Sequence, residues 1–191
     1  MPISKIIHQL WIGTKPRPSK FMNTWKDKNT DFEYISWNED EFIKRNIVFE
    51  SQDKIDSIEE INGKADIMRW EILWRYGGVF IDADSICVEP IDEVLMKCNA
   101  FSGYENEEVR QDLVATGTMG FPPNHPLCRE AVDWILTNPV SKKETGQRAW
   151  ITVGPGLLTR LLQTNKYPEV KIFWSRKSIR LSRMGFYKRK L

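Results

Sequence analysis

The run Gly77-Gly78-Val79-Phe80-Ile81-Asp82-Ala83-Asp84 constrains this chain more than any other feature. Two successive glycines stop a helix, because each tolerates the left-handed backbone that other residues avoid. Three consecutive apolar residues then predict a strand buried on both faces, the kind found inside a sheet covered by helices on both sides. Two carboxylates follow at once. They stand at the strand end where open α/β sheets gather their loops and ligands.

The flanking segments fit that frame. Residues 64–76 lack internal Gly or Pro and predict the helix that the glycine pair ends. Earlier, residues 5–12 predict a first strand closed by Gly13, Pro16 and Pro18, with Ser19 capping a helix to about Lys28. Residues 33–37 predict a second strand, and Asn38 a cap for a short helix to about Arg45. Strand, helix, strand, helix is the order of right-handed βαβ units, so a mostly parallel sheet flanked by helices is expected. Downstream, residues 100–104, 117–121 and 170–174 predict strands, and residues 125–136 and 157–163 predict helices. With 191 residues, 41% of them hydrophobic, and neither repeat nor low-complexity linker, the expectation is one α/β domain spanning 1–191.

Charge excludes some functions. The chain carries 28 Lys and Arg against 26 Asp and Glu, which argues against a surface built to track nucleic acid. Eight of the basic residues and no acidic ones fall in 171–191, so an acidic body ends in a basic tail. No apolar run approaches the roughly 18 residues of a membrane span, and no signal-peptide core opens the chain. Cys87, Cys98 and Cys128 are odd in number and match no zinc or redox spacing. A soluble, cytoplasmic protein in a reducing compartment is expected, with weak membrane-surface contact through the basic tail as a variant.

Asp82 and Asp84 are two residues apart, and in extended backbone i and i+2 project to one side. Two neighbouring anions beside a dry strand repel unless a cation compensates them, and oxygen-only ligands favour Mg²⁺ or Mn²⁺. Such an ion suits a diphosphate leaving group, whose charge grows as the bond breaks. Taken alone, the pair reads equally well as a solvated turn. Asp66 and Arg69, three apart on one helix face, read alone as an intrahelical ion pair worth a few tenths of a kcal/mol.

Together, however, Lys64-Ala65-Asp66-Ile67-Met68-Arg69 and the Gly77–Asp84 run resemble the D-x-D sugar-transferase family of GT-A glycosyltransferases, glycosyltransferase family 32-like, with its K-A-D-hh-R and G-G-h-h-h-D-x-D pattern. Ile6-Ile7-His8-Gln9-Leu10-Trp11-Ile12-Gly13 is similar to the family's first strand. Gly117-Thr118-Met119-Gly120, Pro123-Asn124-His125-Pro126 and Gly154-Pro155-Gly156 resemble its later elements in the expected order. The resemblance implies a GT-A fold and a metal-dependent transfer of a hexose from a nucleoside-diphosphate sugar to an acceptor hydroxyl on a glycan or glycoconjugate. It implies a UDP-sugar first and a GDP-sugar second, with retention at the anomeric carbon.

By that resemblance Trp11 stacks on the nucleobase, with Gln9 beside it. Asp66 and Arg69 contact ribose, sugar or phosphate, and Asp82 and Ala83 complete the donor site. Asp84 is the expected direct metal ligand, with Asp82 on ribose and metal-bound water; Asp82, Asp84 and Arg69 carry the catalysis. His8 and His125 are expected to be structural, and Trp25, Trp70, Trp74 and Trp134 to pack in the core. Thr116 stands where many members have Asn, and Phe186-Tyr187-Lys188 nearly ends a chain whose relatives continue with a His- and Trp-containing segment. The basic tail is read as a lid over the diphosphate, with a solvated charge run or an anionic-membrane patch as alternatives. An inverting enzyme would need a base, with Glu105 and Asp112 as candidates. Two other classes fit less of the sequence. One is a haloacid-dehalogenase-type phosphatase with Asp82 as nucleophile, its second acidic pair sought at Asp92-Glu93 or Glu107-Glu108; the other is a non-catalytic nucleotide-sugar-binding module.

Overall fold

Strand β1 (Ile6–Leu10) leads through a proline-containing loop into helix α1 (Ser19–Lys28), and β2 (Glu33–Trp37) returns parallel to β1. The computed structural model describes residues 1–106 and 108–174. Ser19 is the first helical residue rather than the cap. Pro18 holds that place, and its carbonyl accepts the amides of Phe21 and Met22, so the helix begins without a side-chain cap. Asn38 caps α2 (Glu39–Lys44) as expected, its side chain accepting from the Glu41 amide at 2.8 Å.

After α3 (Gln52–Ser57) comes α4 (Ile61–Tyr76), three residues longer at its start than its sequence pattern shows. It runs through the interior, with Asp66 to Leu73 all buried. Gly77 and Gly78, at φ 62° and 93°, turn the chain from α4 into β3 (Gly78–Ile81). A Cβ on Gly78 would stand 2.6 Å from the Ile6 carbonyl oxygen, so the turn requires the bare backbone. β3 lies between β1, which it pairs in parallel, and a long antiparallel strand that comes later in the chain. Its four residues are all buried: Phe80 packs into the larger core with α4, while Val79 and Ile81 pack into a second cluster with Ile7 and Trp25.

The second half supplies α5 (Glu93–Met96), β4 (Ala100–Asn106), β5 (Arg110–Phe121), α6 (Pro126–Thr137), α7 (Lys142–Thr145), α8 (Ala149–Thr152), α9 (Pro155–Gln163) and β6 (Val170–Phe173). Strand order is β2-β1-β3-β5-β4-β6, and β5 alone opposes the others, so the sheet is mostly parallel. β5 extends seven residues upstream of the expected 117–121. That polar stretch becomes a strand by pairing with β4 across an irregular register. No helix among the described residues is long and apolar enough to cross a membrane.

His8 is a fastener of the fold. It is fully buried; the Trp37 indole N–H donates to its Nδ1 at 3.0 Å, which leaves Nε2 to donate to the Gly77 carbonyl at 2.8 Å. Burial pushes its pKa down to about 4, so the ring is neutral and pins β1 to the glycine turn. His125 also has a structural place: its Nδ1 accepts from the Leu127 amide at the start of α6, and Nε2 lies 3.2 Å from Glu169.

Candidate active site at the carboxyl ends of the strands

The acidic motif begins one residue beyond β3. The Asp82 amide still donates to the Gly117 carbonyl at 2.8 Å, which prolongs the β3–β5 ladder by one step. Then the chain turns: the Ser85 amide (3.2 Å) and hydroxyl (2.6 Å) both donate to the Asp82 carbonyl. This corrects the expectation that Asp82 and Asp84 form an extended i, i+2 pair. They occupy the first and third positions of a turn instead, because Ser85 captures the carbonyl that a strand would leave to a neighbour. Ala83 lies buried between them.

A third donor reaches the same carbonyl. Gln9 is fully buried; its amide nitrogen donates to Asp82 O at 3.2 Å while its amide oxygen accepts from the Tyr34 hydroxyl at 2.7 Å. Gln9, expected beside a nucleobase, therefore supports the acidic turn from below. Trp25, expected in the core and found there, also steadies the turn through its indole N–H, 3.0 Å from Ser85 Oγ.

Arg69 joins the helix to the turn. One Nη donates to the Thr116 carbonyl, the other to Asp82 Oδ1 at 2.8 Å, and the guanidinium lies 4.6 Å from the centroid of the Phe80 ring. It is only 6% exposed, and among the described residues its Nε has no hydrogen-bond partner. Asp66, at 5% exposure, accepts from the Thr116 hydroxyl at 3.1 Å and sits 3.6 Å from Arg69. Burial pushes its pKa up to about 6; Arg69 pulls it down, and the charges of Asp82 and Glu105 push it further up. Thr116 is thus bonded on both sides, hydroxyl to Asp66 and carbonyl to Arg69.

Two glycines let these acids approach. A Cβ on Gly117 would stand 2.7 Å from Asp82 Oδ2, and one on Gly154 would collide with Asp66 Oδ2. The G-x-h-G and G-P-G elements of the sequence thus clear space for the two carboxylates.

Asp84 differs from both. It is half-buried, and among the described residues its carboxylate has no hydrogen-bonding or ionic partner. No three His, Cys, Asp or Glu side chains gather as a metal cluster among the described residues. An oxygen-only donor with an open carboxylate beside an Arg-held one fits a hard divalent ion whose remaining ligands come from outside the described residues.

Trp11, just past β1, is half-buried, with its indole N–H donating to the Lys15 carbonyl at 2.9 Å. Of the two candidate bases, Glu105 is near enough for Asp66 to feel its charge, whereas Asp112 is exposed. Asp92 caps α5 by accepting from Val94, so it is not a second acidic partner for Asp82 as the phosphatase reading requires. The basic tail from residue 175 onward, and Glu107, lie outside the described residues. The Tyr34–Gln9 bond and the pairing of Thr116 with Asp66 escape sequence reasoning, since each contact joins segments distant along the chain.

Residues 16–101 match the family described as "Glycosyltransferase sugar-binding region containing DXD motif". The chain is 31% identical over 143 residues to an uncharacterized glycosyltransferase of Acanthamoeba polyphaga mimivirus, covering 71% of this chain and 55% of that protein. It is 30% identical to inositol phosphoceramide mannosyltransferase 3 of Schizosaccharomyces pombe, covering 68% and 36%. It therefore spans about half, or less, of the curated relatives' length. The fold is similar to that of the PaToxG glycosyltransferase, with a TM-score of 0.63 at 19% identity over 86% of this chain and 70% of that one. It is also similar to the UDP-bound glycosyltransferase domain of the YGT toxin, with a TM-score of 0.56 at 12% identity over 90% and 79%. These likenesses give the fold as that of GT-A glycosyltransferase domains.

Proposed function

We propose that this chain, whose residues 16–101 match the glycosyltransferase sugar-binding region containing a DXD motif, is a member of that family and transfers a hexose-type sugar from a nucleoside diphosphate to an acceptor hydroxyl on a glycan or glycoconjugate. The observation that carries this reading is the open carboxylate of Asp84, in a turn whose other acid is already held by Arg69. A UDP-sugar is the first choice of donor, supported by the UDP-bound fold neighbour; a GDP-sugar is the second. Relatives named as mannosyltransferases and as an α-1,4-N-acetylglucosaminyltransferase support a hexose-type sugar.

In this reading Asp84, with Asp82 beside it, holds Mn²⁺ or Mg²⁺, which when bound offsets the charge of the departing diphosphate. Arg69 fixes the Asp82 carboxylate, so little reorganisation is left for the moment of reaction. Asp66 accepts hydrogen bonds from donor hydroxyls, a task suited to a desolvated carboxylate. Trp11 offers an indole face to the base, a contact worth on the order of 1–3 kcal/mol. We take transfer to proceed with retention. The three cysteines stand free, which suits a reducing compartment.

A thermal-shift panel of UDP- and GDP-sugars with and without Mn²⁺ tests the proposal. Ligand at about a hundred times its Kd adds about 2.7 kcal/mol, a rise of several degrees in Tm. The expected result is such a rise for a UDP-sugar with Mn²⁺ and its loss with chelator. No rise with any donor overturns the reading. A rise without release of nucleoside diphosphate across an acceptor panel assigns a binding module instead.

A further inference from the structure

The candidate site is short of positive charge. Asp66, Asp82 and Asp84 contribute three carboxylates and Arg69 one guanidinium. Arg69 is in no position to serve a ligand's phosphates: it is buried, with one Nη held by the Thr116 carbonyl and the other by Asp82. A diphosphate arriving at this edge meets net negative charge, and one divalent ion does not offset both the acids and the phosphates.

We infer that Arg17, on the loop between β1 and α1, supplies the missing cation and grips the diphosphate of the donor; this rests on the nucleotide-sugar reading above. The loop leaves the sheet at the carboxyl end of β1 and is fastened there. Trp11 N–H donates to the Trp37 carbonyl at 3.0 Å, the Trp11 indole to the Lys15 carbonyl at 2.9 Å, and Gly13 N–H to Glu39 at 3.2 Å. Pro16 and Pro18 flank Arg17, and the second restricts the arginine backbone to extended conformations. The loop thus presents its guanidinium at little entropic cost.

The guanidinium lies on the side of the acidic turn. Nε lies 3.2 Å from Sδ of the buried Met22, and the charge is near enough for the Tyr34 hydroxyl to feel it. Tyr34 in turn donates to Gln9, and Gln9 to the Asp82 carbonyl, so two side chains separate Arg17 from the motif. Arg45, Arg69, Arg75, Arg110 and Arg129 each have a carboxylate partner; among the described residues Arg17, Arg148 and Arg160 have none, and Arg160 is instead turned to the Ile151 and Thr152 carbonyls. A thioether contact leaves most of the Arg17 N–H donors for a bidentate anion such as phosphate.

Calorimetric titration of the whole chain with UDP, UMP, GDP and GMP in Mn²⁺ tests this. The native protein is expected to bind the diphosphate of its base more tightly than the monophosphate. Arg17→Gln should weaken the diphosphate by about tenfold or more while moving the monophosphate less than about twofold, with the melting temperature unchanged. Arg17→Lys should recover part of the loss, since it restores charge without the planar fork. Unchanged diphosphate affinity in Arg17→Gln overturns the inference. So does an equal loss for both nucleotides, which would make Arg17 a support for the base-side wall. If the native protein binds none of the four, the donor reading fails first and Arg17 with it.

Discussion

Helix α4 carries two acid–base pairs, each with a buried acid, that look alike in sequence and differ in the fold. Glu71 and Arg75 form a closed unit. Glu71 Oε1 accepts from the Ser51 amide at 2.8 Å, and Oε2 accepts from Glu50 N–H at 2.9 Å and from Arg75 at 2.8 Å. Two turns earlier, Asp66 and Arg69 stand 3.6 Å apart, Arg69 is shared with Asp82 and Thr116, and its Nε has no acceptor. One pair ties a loop to the helix; the other leaves polar capacity at the edge where the acidic turn lies. The difference comes from what packs beside each pair. Among the described residues three buried polar atoms lack a partner, Arg69 Nε, Ser36 Oγ and Ser51 Oγ, so the contrast between the pairs rests on Arg69 being shared with Asp82, the neighbour of the open Asp84 carboxylate.

Separating the two regions by mutation sharpens that contrast. The largest effect is expected from Asp84→Asn, which removes the open carboxylate. Turnover should fall by about 10³-fold, equivalent to several kcal/mol of lost charge stabilisation, while stability changes by less than about 0.5 kcal/mol. Steady-state rates with Mn²⁺ and a urea melt measure both, and retained activity would break the distinction. Glu71→Leu should do the reverse. Stranding two buried amides and Arg75 costs about 3 kcal/mol, near 10 °C in Tm, whereas donor affinity of the folded fraction stays native. Calorimetry and donor titration check it; a melting point within 2 °C of native, with the ~2 °C margin taken from less than 1 kcal/mol, would show that the loop holds without the helix.

A smaller effect concerns pH. The unfolded Asp66 carboxyl titrates near its ordinary 3.8, and the folded one at about 6. Between those values the folded state keeps a proton that the unfolded chain has lost, so this group's contribution to stability declines as pH rises, by about 3 kcal/mol in all. His8 works the other way. Its folded pKa of about 4 lies below the ordinary 6.5, so its contribution is present above 6.5 and is lost as pH falls through the same window, again by about 3 kcal/mol. Burial lowers the pKa of His125 as well, which adds to the acid side. The two groups, on α4 and β1, therefore oppose each other between about pH 4 and 6.5. Stability profiles of the native protein and Asp66→Asn should diverge across that interval, the variant losing more on acidification; parallel profiles would remove the assigned shift.

Much of this was legible along the chain. The Val79-Phe80-Ile81 run, the Gly77-Gly78 stop, the long helix before it and the Asn38 cap are local signals, and each became the element it specified. Ser141 and Glu144 form a capping box at α7, a signal that is itself present in the sequence. The upstream half of β5 gave none, because its polar residues become a strand only against β4. α8 is anchored by Glu60, which accepts the Ala149 amide from 89 residues away, a contact no local pattern encodes.

At the site the division follows the same physics. Order and chemistry were in the sequence: carboxylates after a buried strand, an arginine three residues from an aspartate, and glycines at Gly117 and Gly154. Which carboxylate is held and which is open was decided only when α4, β3 and β5 packed together, setting Arg69 against Asp82 and leaving Asp84 without a partner among the described residues. A residue's type fixes what it can bond. Its partners come from distant segments, and burial sets what each missing bond costs.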